Sequence, residues 1–429
     1  IAAAATEPKA EARMSAAYGL GLSSDPAAVP VLAKMLAADA EKPVRIEAAR
    51  ALGMIRAPAA VAALVEQAEA ESEIRAAVQA AVLTAACPEA RDQLIAGLGA
   101  PTEEMRSACA MSLIATGRDM TVTTEEIKKL HASATPAVRA GAVGLLALMK
   151  SGPFEEIVPK ALADSDQLVR AAAADAAGLR RWAGGAETLE KMVVSAEEKP
   201  SVRISASRAL GRIGRLESVV PLAQCAADVN GIESVRIAAA EALAAVAARH
   251  KFKKLTAKGE YNDYATHIKL AARTTDVRWE ALKVLVAGCE SFKGEALTAK
   301  GFEAMRALAG RKLAPKAEVW KTWMENKLDE ARVLGEIAHL VEQAYKLGKN
   351  NPKSYTLVEQ AMRKAKGLRK RAEQDDVSFY GTLFANLCEM LGLDPKKEIG
   401  KENPPEKLKD PGAEKKEEGK AEESAEKKD

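Results

Sequence analysis

The fold is decided by a fourteen-residue stretch, SVRISASRALGRIG at positions 201–214. It places an arginine directly after a valine, and small and aliphatic residues then follow at helical spacing. Three and seven residues after Arg203 stand Ala206 and Leu210. These two residues share one face of a helix because the α-helix has roughly 3.6 residues per turn. The stretch therefore predicts an amphipathic helix with one buried face.

The same pattern returns nine times along the chain. Successive arginines are 30 to 33 residues apart, except that the last two are 42 apart. A fixed period in this range is typical of stacked helical repeats, whose usual product is an extended binding surface. The nine pairs are Ala12-Arg13, Val44-Arg45, Ile74-Arg75, Met105-Arg106, Val138-Arg139, Val169-Arg170, Val202-Arg203, Val235-Arg236 and Val277-Arg278.

The positions that follow the arginines repeat as well. The third position is nearly always small: Ala48, Val78, Cys109, Ala142, Ala173, Ala206, Ala239 and Ala281. The seventh is aliphatic: Leu52, Val82, Leu113, Leu146, Ala177, Leu210, Leu243 and Leu285. A second set of helices is predicted between these, over residues 29–38, 59–70, 125–132, 155–163, 187–194 and 218–227. Each unit is thus a helical hairpin that needs a neighbour on each side to cover its apolar face.

Two stretches carry a resemblance to a known repeat, DQLVRAAAADAAG at 166–178 and the stretch at 201–214. They resemble HEAT repeats of the short, phycobilisome-lyase type, and the resemblance extends over roughly residues 8–310. It implies an all-α fold, a right-handed α-solenoid of about nine helical hairpins. The ninth unit follows an insertion rich in Lys and Gly, Phe252–Asn262, which we expect to be a loop or a helix extension.

In that family the arginine forms a structural ladder with acidic or backbone partners near the turn between the two helices. The resemblance therefore implies a structural ladder of Arg45, Arg75, Arg106, Arg139, Arg170, Arg203, Arg236 and Arg278. Candidate acidic partners stand a few residues before three of these arginines. They are Asp39 before Arg45, Asp164 or Asp166 before Arg170, and Asp228 before Arg236.

The period ends near residue 311, and the sequence then changes character. We predict that residues 1–310 form the solenoid, that 311–395 form a C-terminal helical bundle, and that 396–429 form a disordered tail rich in Lys and Glu. The bundle is predicted to contain helices over 316–347, 355–373 and 377–391. Because the open end of a solenoid exposes apolar surface, these helices are expected to serve as its cap.

Composition limits the class of function. The net charge is only +3, so no global field attracts a polyanion, and no apolar run approaches the roughly 20 residues that span a bilayer. Five scattered cysteines without a C-x-x-C pair argue against a disulfide framework or a zinc site and favour a cytoplasmic location. Since no partner helix precedes Arg13, we expect residues upstream of Ile1, which leaves export open.

The chain offers no catalytic motif. Metal-dependent HEAT enzymes of the deoxyhypusine hydroxylase type hold iron with paired His-Glu dipeptides, but none of the four histidines here is followed by Glu. Phosphate-binding loops and nucleophile elbows are also missing from the sequence. Cys109 occupies the small-residue column, so it is interpreted as core. We therefore predict no catalytic residue, no metal and no cofactor, and a HEAT-type lyase ranks third among the functions considered.

Two sets of residues are candidates for binding. The fifth position after each arginine should approach the inner, concave surface, and its polar or large members are Arg50, Met111, Asp175, Arg208, Glu241 and Lys283. The second set is a basic run that could hold an anion: Arg363, Lys364, Lys366, Arg369, Lys370 and Arg371. A smaller basic cluster is formed by Lys251, Lys253 and Lys254.

The favoured hypothesis is a non-enzymatic HEAT-repeat scaffold or adaptor that binds a protein partner through the concave helix face. The alternative is a nucleic-acid or anion-binding module that uses the C-terminal basic helix. The concave column has mixed charge and no aromatic residue from Arg50 to Lys283, which makes a poor phosphate cradle. A nucleic-acid partner is therefore not favoured.

Overall fold

The computed structural model describes residues 5–115, 122–250, 277–347, 351–371 and 377–390. Within these ranges the chain forms helices joined by turns, and no strand occurs. The prediction of an all-α fold built from helical hairpins is therefore confirmed. The chain divides into two compact units, Ile1–Ser218 (unit 1) and Val219–Asp429 (unit 2).

Thirteen α-helices lie in the described part of unit 1. They are α1 Ala10–Leu22, α2 Val29–Ala38, α3 Lys42–Ile55, α4 Pro58–Val65, α5 Ser72–Ala85, α6 Arg91–Gly97, α7 Glu103–Ala115, α8 Thr124–His131, α9 Pro136–Leu148, α10 Phe154–Leu162, α11 Gln167–Leu179, α12 Ala186–Val194 and α13 Pro200–Ile213. The odd-numbered helices are the second helices of the hairpins, and each packs against the next one along the chain. Each even-numbered helix packs against the second helix of its own hairpin. Unit 1 is thus a two-layered stack of hairpins.

Local sequence signals start these helices. Proline stands in the first turn of α3, α4, α9 and α13. The N–H groups of a first turn have no acceptor within the helix, so proline, which lacks an N–H, costs no hydrogen bond there. Helix α8 begins with a capping box, in which Thr123 accepts from the N–H of Glu126 and the Glu126 side chain accepts from the N–H of Thr123. The predicted first helices begin within one residue of the observed ones.

The core of both units is built from the two columns that follow the arginines. Every residue of the small column and every residue of the aliphatic column is at least 98% buried. Full burial of one Leu side chain contributes about 1.5–3 kcal/mol, so the repeated column is the main source of stability between hairpins. Small side chains at the other column let neighbouring backbones approach.

Unit 2 contains seven described α-helices. They are α14 Val219–Ala227, α15 Glu233–Arg249, α16 Val277–Gly288, α17 Glu295–Ala309, α18 Ala317–Leu347, α19 Pro352–Arg371 and α20 Val377–Met390. Helix α14 packs against α15 and α16, and α15 packs against α17. The layer of first helices therefore continues from α14 to α16, and the layer of second helices continues from α15 to α17.

This arrangement differs from the alignment of the ninth repeat. The repeat signature predicts that Arg278 and Lys283 lie on a second helix. Both lie on α16, which packs on the first helix α14. The insertion at 252–262 and the cluster of Lys251, Lys253 and Lys254 lie outside the described residues. The local signature on α16 matches the other eight. The sequence therefore gives no sign that the helix after the insertion joins the layer of first helices.

Helices α18, α19 and α20 form a bundle with an apolar core of their own. Ile337, Ala361, Leu368 and Leu387 are fully buried in it. Trp320 and Trp323 of α18 stack edge-to-face with ring centroids 5.8 Å apart, and the ring of Trp279 on α16 lies 5.9 Å from that of Trp323. The domain boundaries at 310 and 395 and the role of the bundle as a cap stay predictions. The tail at 396–429 lies outside the described residues.

Candidate functional site

The repeating arginine makes the same contacts at three steps of unit 1. Nη1 of Arg139 donates to the main-chain oxygens of Ser133 and Ala134 at 3.0 and 3.1 Å. Its Nε and Nη2 donate to the two carboxylate oxygens of Asp164 at 2.9 and 2.8 Å. One guanidinium thus ties the turn of its own hairpin to the turn of the next hairpin.

Arg170 repeats this geometry one hairpin later. Nη1 donates to the main-chain oxygens of Asp164 and Ser165 at 2.8 and 2.9 Å, and Nε and Nη2 donate to Glu198 at 3.0 and 2.6 Å. Arg13 makes the corresponding bidentate bond to Asp39 at 2.8 and 2.9 Å. A bidentate pair between a guanidinium and a carboxylate is among the strongest protein hydrogen-bond arrangements, so these arginines act as clips between hairpins.

The acidic partners are therefore not paired as the sequence suggested. Asp39 and Asp164 bind the arginine of the preceding hairpin, 26 and 25 residues earlier, and not the arginine that follows them. The side chain of Asp166 caps α11 by accepting from the N–H of Leu168 at 2.7 Å. The side chain of Asp228 accepts from the N–H of Asn230 at 3.1 Å. Stacking of whole hairpins brings each turn beside the arginine of its predecessor.

The bidentate pairs shift the titration of their carboxylates. The hydrogen bond from Arg139 is the largest influence on Asp164 and lowers its pKa, and Arg13 lowers the pKa of Asp39 in the same way. Burial raises the pKa of Glu198, but hydrogen bonds from Arg170 and the N–H of Lys199 outweigh it, so the net change is a lower pKa. A lowered pKa favours the ionised carboxylate, which is the form that accepts both hydrogen bonds from the arginine.

Among the other predicted ladder arginines, Arg75 and Arg106 keep main-chain contacts in the turn of their own hairpin, and the rest differ in their partners. Arg106 donates to the main-chain oxygens of Ala100 and Pro101 at 2.8 and 2.9 Å, and Arg75 donates to Ala70. The remaining partners are Glu71 for Arg45, the main-chain oxygen of Val193 for Arg203, that of Ala226 for Arg236, and that of His250 for Arg278. The ladder is thus regular in its position and irregular in its acidic partner.

In unit 1 the candidate binding column lies on the second helices, and its place on the concave surface stays a prediction. Arg50 and Arg208 are exposed, and Met111 is 41% exposed. Asp175 is half-buried and accepts a hydrogen bond from the Ser205 hydroxyl at 2.9 Å. Burial raises the pKa of Asp175 despite that bond. The column therefore offers cationic and aliphatic side chains together with one partly buried acid.

In unit 2 the two remaining members of the column are separated. Glu241 is exposed on the second helix α15 and pairs with Lys300 at 3.6 Å. Lys283 lies on α16, in the layer of first helices, and pairs with Glu280 at 2.8 Å. Lys283 is consequently left out of the candidate face.

Sequence reasoning missed the first member of this column. Tyr18 stands five residues after Arg13 on α1 and is 51% exposed. The offset of five residues that defines the column leads from Arg13 to Tyr18. A row of exposed aliphatic residues at the ends of second helices was missed too: Leu22, Leu83, Ile114, Leu148 and Leu179. Its signal is an aliphatic residue eight or nine positions after the arginine.

The basic run is only partly available for an anion. On α19, Arg363 pairs with Glu359, and Lys364 pairs with Glu336 of α18. Arg363 and Lys370 are exposed, whereas Lys364, Lys366 and Arg369 are half-buried. The side chain of Arg371 lies outside the described part. Internal ion pairs thus reduce the positive charge that the run presents to solvent.

Groups that could perform chemistry are dispersed. Among the described residues no three His, Cys, Asp or Glu side chains come together as metal ligands. All five cysteines are buried, and burial raises the pKa of the Cys109 thiol to about 12, so it stays protonated at neutral pH. None of the described helices is long and apolar enough to span a bilayer.

Comparison with known families identifies the repeat. Residues 1–84 match the family model of HEAT repeats. No curated protein sequence matches the chain. The resemblance to HEAT repeats that the sequence indicated is thereby confirmed.

Several solved structures are similar to the chain at low identity. Human deoxyhypusine hydroxylase, solved with glycerol, is 20% identical over 58% of this chain and 95% of its own, with a TM-score of 0.29. Importin beta is 14% identical over 90% of this chain, which spans 56% of importin beta, with a TM-score of 0.42. The complex of CpcE and CpcF of phycocyanin lyase from Nostoc is 22% identical over 58% of this chain and 86% of its own, with a TM-score of 0.24. Similarities at this level do not assign an activity.

Proposed function

We propose that this chain, whose residues 1–84 match HEAT repeats, is a non-enzymatic scaffold that binds a protein partner along the exposed face of the second helices in unit 1. The observation that carries the proposal is that one position of the repeat is exposed on four second helices. Five residues after the arginine, Tyr18, Arg50, Met111 and Arg208 are all exposed on second helices of one stack. Tyr, Arg and Met are enriched in protein interfaces, where they supply contact area with a polar end or adaptable packing.

The ladder supports this proposal because it fixes the spacing of that face. Arg13, Arg139 and Arg170 each donate four hydrogen bonds to main-chain and carboxylate oxygens of adjoining turns. A surface held in this way loses little conformational entropy when a partner docks on it. The arginines themselves are then architectural, and recognition falls to the residues five positions further on.

The test begins with affinity capture of the partner from the native source, followed by a binding titration of the purified pair. The double variant Arg50→Glu/Arg208→Glu should weaken binding at least tenfold while the helical circular-dichroism signal stays unchanged, since both side chains are exposed. A photo-crosslinking residue at position 111 should form a covalent adduct with the same partner.

The matched control is Lys34→Glu, a charge reversal at an exposed position on the first helix α2. It should leave the affinity within twofold of the parent chain. Equal losses for the control and the double variant, or no adduct from position 111, would contradict the proposed face.

A second candidate function rests on α19, which carries seven Lys or Arg and one Glu. Such a helix suits a polyanion, and each phosphate contact should make the affinity fall as salt rises. A gel-shift titration with duplex and single-stranded DNA across a salt series tests it, with Arg363→Gln/Lys370→Gln as the variant. Salt-independent or undetectable binding removes this candidate.

A further inference from the structure

Unit 2 contains a surface cavity of about 430 Å³ at the start of α15. Its charged lining is formed by Arg236, Lys293, Glu233 and Glu290, and Ser291 adds a hydroxyl group. Lys293 is exposed, whereas Arg236 is only 6% exposed. We call this pocket the Arg236 cavity because the Arg236 guanidinium is the one buried charge in its lining.

The hydrogen bonds of Arg236 leave part of the guanidinium unused. Nε donates to the main-chain oxygen of Ala226 at 3.0 Å, Nη2 donates to the Ser291 hydroxyl at 2.6 Å, and Nη1 makes a longer bond of 3.3 Å to the main-chain oxygen of Ser291. The Ser291 hydroxyl donates in turn to the main-chain oxygen of Gly288 at 2.6 Å. Since a guanidinium has five N–H groups, one on Nη1 and one on Nη2 lack a partner among the described residues.

At three other steps the corresponding arginine holds a carboxylate. Arg13, Arg139 and Arg170 bind Asp39, Asp164 and Glu198 with two bonds each. Within the part of the chain that the structure describes, no carboxylate pairs with Arg236, and a serine hydroxyl stands against it instead.

Burial of this charge without an ion pair to a described carboxylate is unfavourable, and the ring of Phe292, 5.9 Å from Cζ, is its aromatic neighbour. Burial lowers the pKa of Arg236, and the charges of Asp228 and Glu233 act in the opposite direction without cancelling it. Arg106 provides an internal comparison. Burial lowers its pKa as well, and it forms no ion pair with a described carboxylate, but it is not part of the lining of the Arg236 cavity.

We propose that the Arg236 cavity binds a carboxylate group, with the two unused N–H groups of Arg236 as the anchor and the Lys293 ammonium at the rim. A singly charged carboxylate fits better than phosphate, because Glu233 and Glu290 also line the cavity and repel a second negative charge. Glu290 is already paired with Lys321, whereas Glu233 forms no ion pair with another residue that the structure describes. The carboxylate belongs either to a small organic acid or to an acidic side chain of a peptide.

The experiment is a titration of the full chain followed by the Nε–H resonances of its arginines in NMR spectra. Butyrate and the peptide acetyl-Ala-Glu-Ala-amide, each with a single carboxylate, represent the two sources, and inorganic phosphate tests the class of anion. The Arg236 resonance should shift and saturate with a carboxylate, while the Arg106 resonance stays in place. The tighter of the two carboxylates identifies the source. No shift at Arg236, or phosphate binding as tight as carboxylate binding, would overturn the assignment.

Variants separate binding from folding. Arg236→Lys should weaken carboxylate binding about tenfold, because the ammonium group cannot supply two parallel N–H donors. Lys293→Gln changes an exposed rim residue that folding does not need, and it should weaken binding about two- to threefold. Lys346→Gln, on exposed surface of α18, is the matched control and should change nothing. Should Arg236→Lys fail to fold, unchanged binding in Lys293→Gln would still refute the site. These results do not depend on the protein-binding face of unit 1.

Discussion

On α9, the face that stacks on the preceding hairpin and the face turned outward obey different rules. A side chain at Gly141 would place its Cβ 2.0 Å from the main-chain oxygen of Leu98, whereas a Cβ at Gly144 would have no neighbour within 4 Å. We call the stacked surface the seam and the outward surface the open face. A larger side chain on the seam meets the backbone of the neighbouring hairpin, whereas the open face has room for one. The steric limits thus differ within a single turn of helix.

The largest expected effect comes from closing the space at the seam. Gly141→Ala should lower the free energy of unfolding by about 3 kcal/mol, because the new methyl group meets backbone and cannot be relieved by a rotamer change. Urea unfolding followed by circular dichroism measures it.

Gly144→Ala, three residues away, is the control on the same helix. It should raise the free energy of unfolding by about 0.5–1 kcal/mol, since Ala restricts the unfolded chain and meets nothing in the folded one. Equal effects at the two glycines would show that the seam and the open face are not distinct.

An intermediate effect is expected from opening one clip. Arg170→Met should cost about 2 kcal/mol in unfolding free energy, because it leaves Glu198, whose side chain is only 12% exposed, without its bidentate partner. Arg45→Met should cost less. The Glu71 carboxylate that Arg45 binds is 57% exposed and can be hydrated. Thermal unfolding of both variants checks the order, and a larger loss for Arg45→Met would refute the clip.

The smallest effects concern pH, and the seam and the open face should respond with opposite sign. The folded pKa of Asp164 is lowered from its ordinary value of 3.8, so its contribution is complete above that value and is lost as pH falls through the lowered pKa. The folded pKa of Asp175 is raised from 3.8, so its contribution is complete below that value and is lost as pH rises through the raised pKa.

Two isosteric variants test this contrast by urea unfolding between about pH 3 and pH 7. Asp164→Asn should flatten the rise of stability with pH and be less stable than the parent at neutral pH. Asp175→Asn keeps an acceptor for the Ser205 hydroxyl and should be more stable than the parent at neutral pH. Changes of the same sign in both variants would contradict the assigned shifts.

Much of the local structure could be predicted from the repeat. The small column and the aliphatic column are buried, as their spacing of three and seven residues required. Pro136 and Pro200 stand at the start of α9 and α13, a position that proline favours. Cys109 is a buried residue of the small column, as its place in the repeat predicted. These outcomes depend on neighbours within two turns, which a single sequence displays.

The errors arose where contacts span more than one hairpin. Asp39 and Asp164 bind the arginine of the preceding hairpin, because stacking brings a turn beside its predecessor and not beside the helix that follows it. Lys283 lies in the layer of first helices, because α16 packs on α14. A local signature cannot report the layer that a helix joins, since layer membership follows from the helices before it.

The sequence by itself determined that this protein is a stack of helical hairpins, because helix propensity and a 30–33-residue period act locally and repeat. Only the tertiary structure decided which carboxylates the arginines of the bidentate pairs hold, which of Gly141 and Gly144 faces a backbone, and that Arg236 lines a cavity and donates to a serine hydroxyl. The physical reason is distance along the chain. Ladder partners stand 25 to 28 residues apart at the bidentate steps, and only the stacking of whole hairpins brings them together.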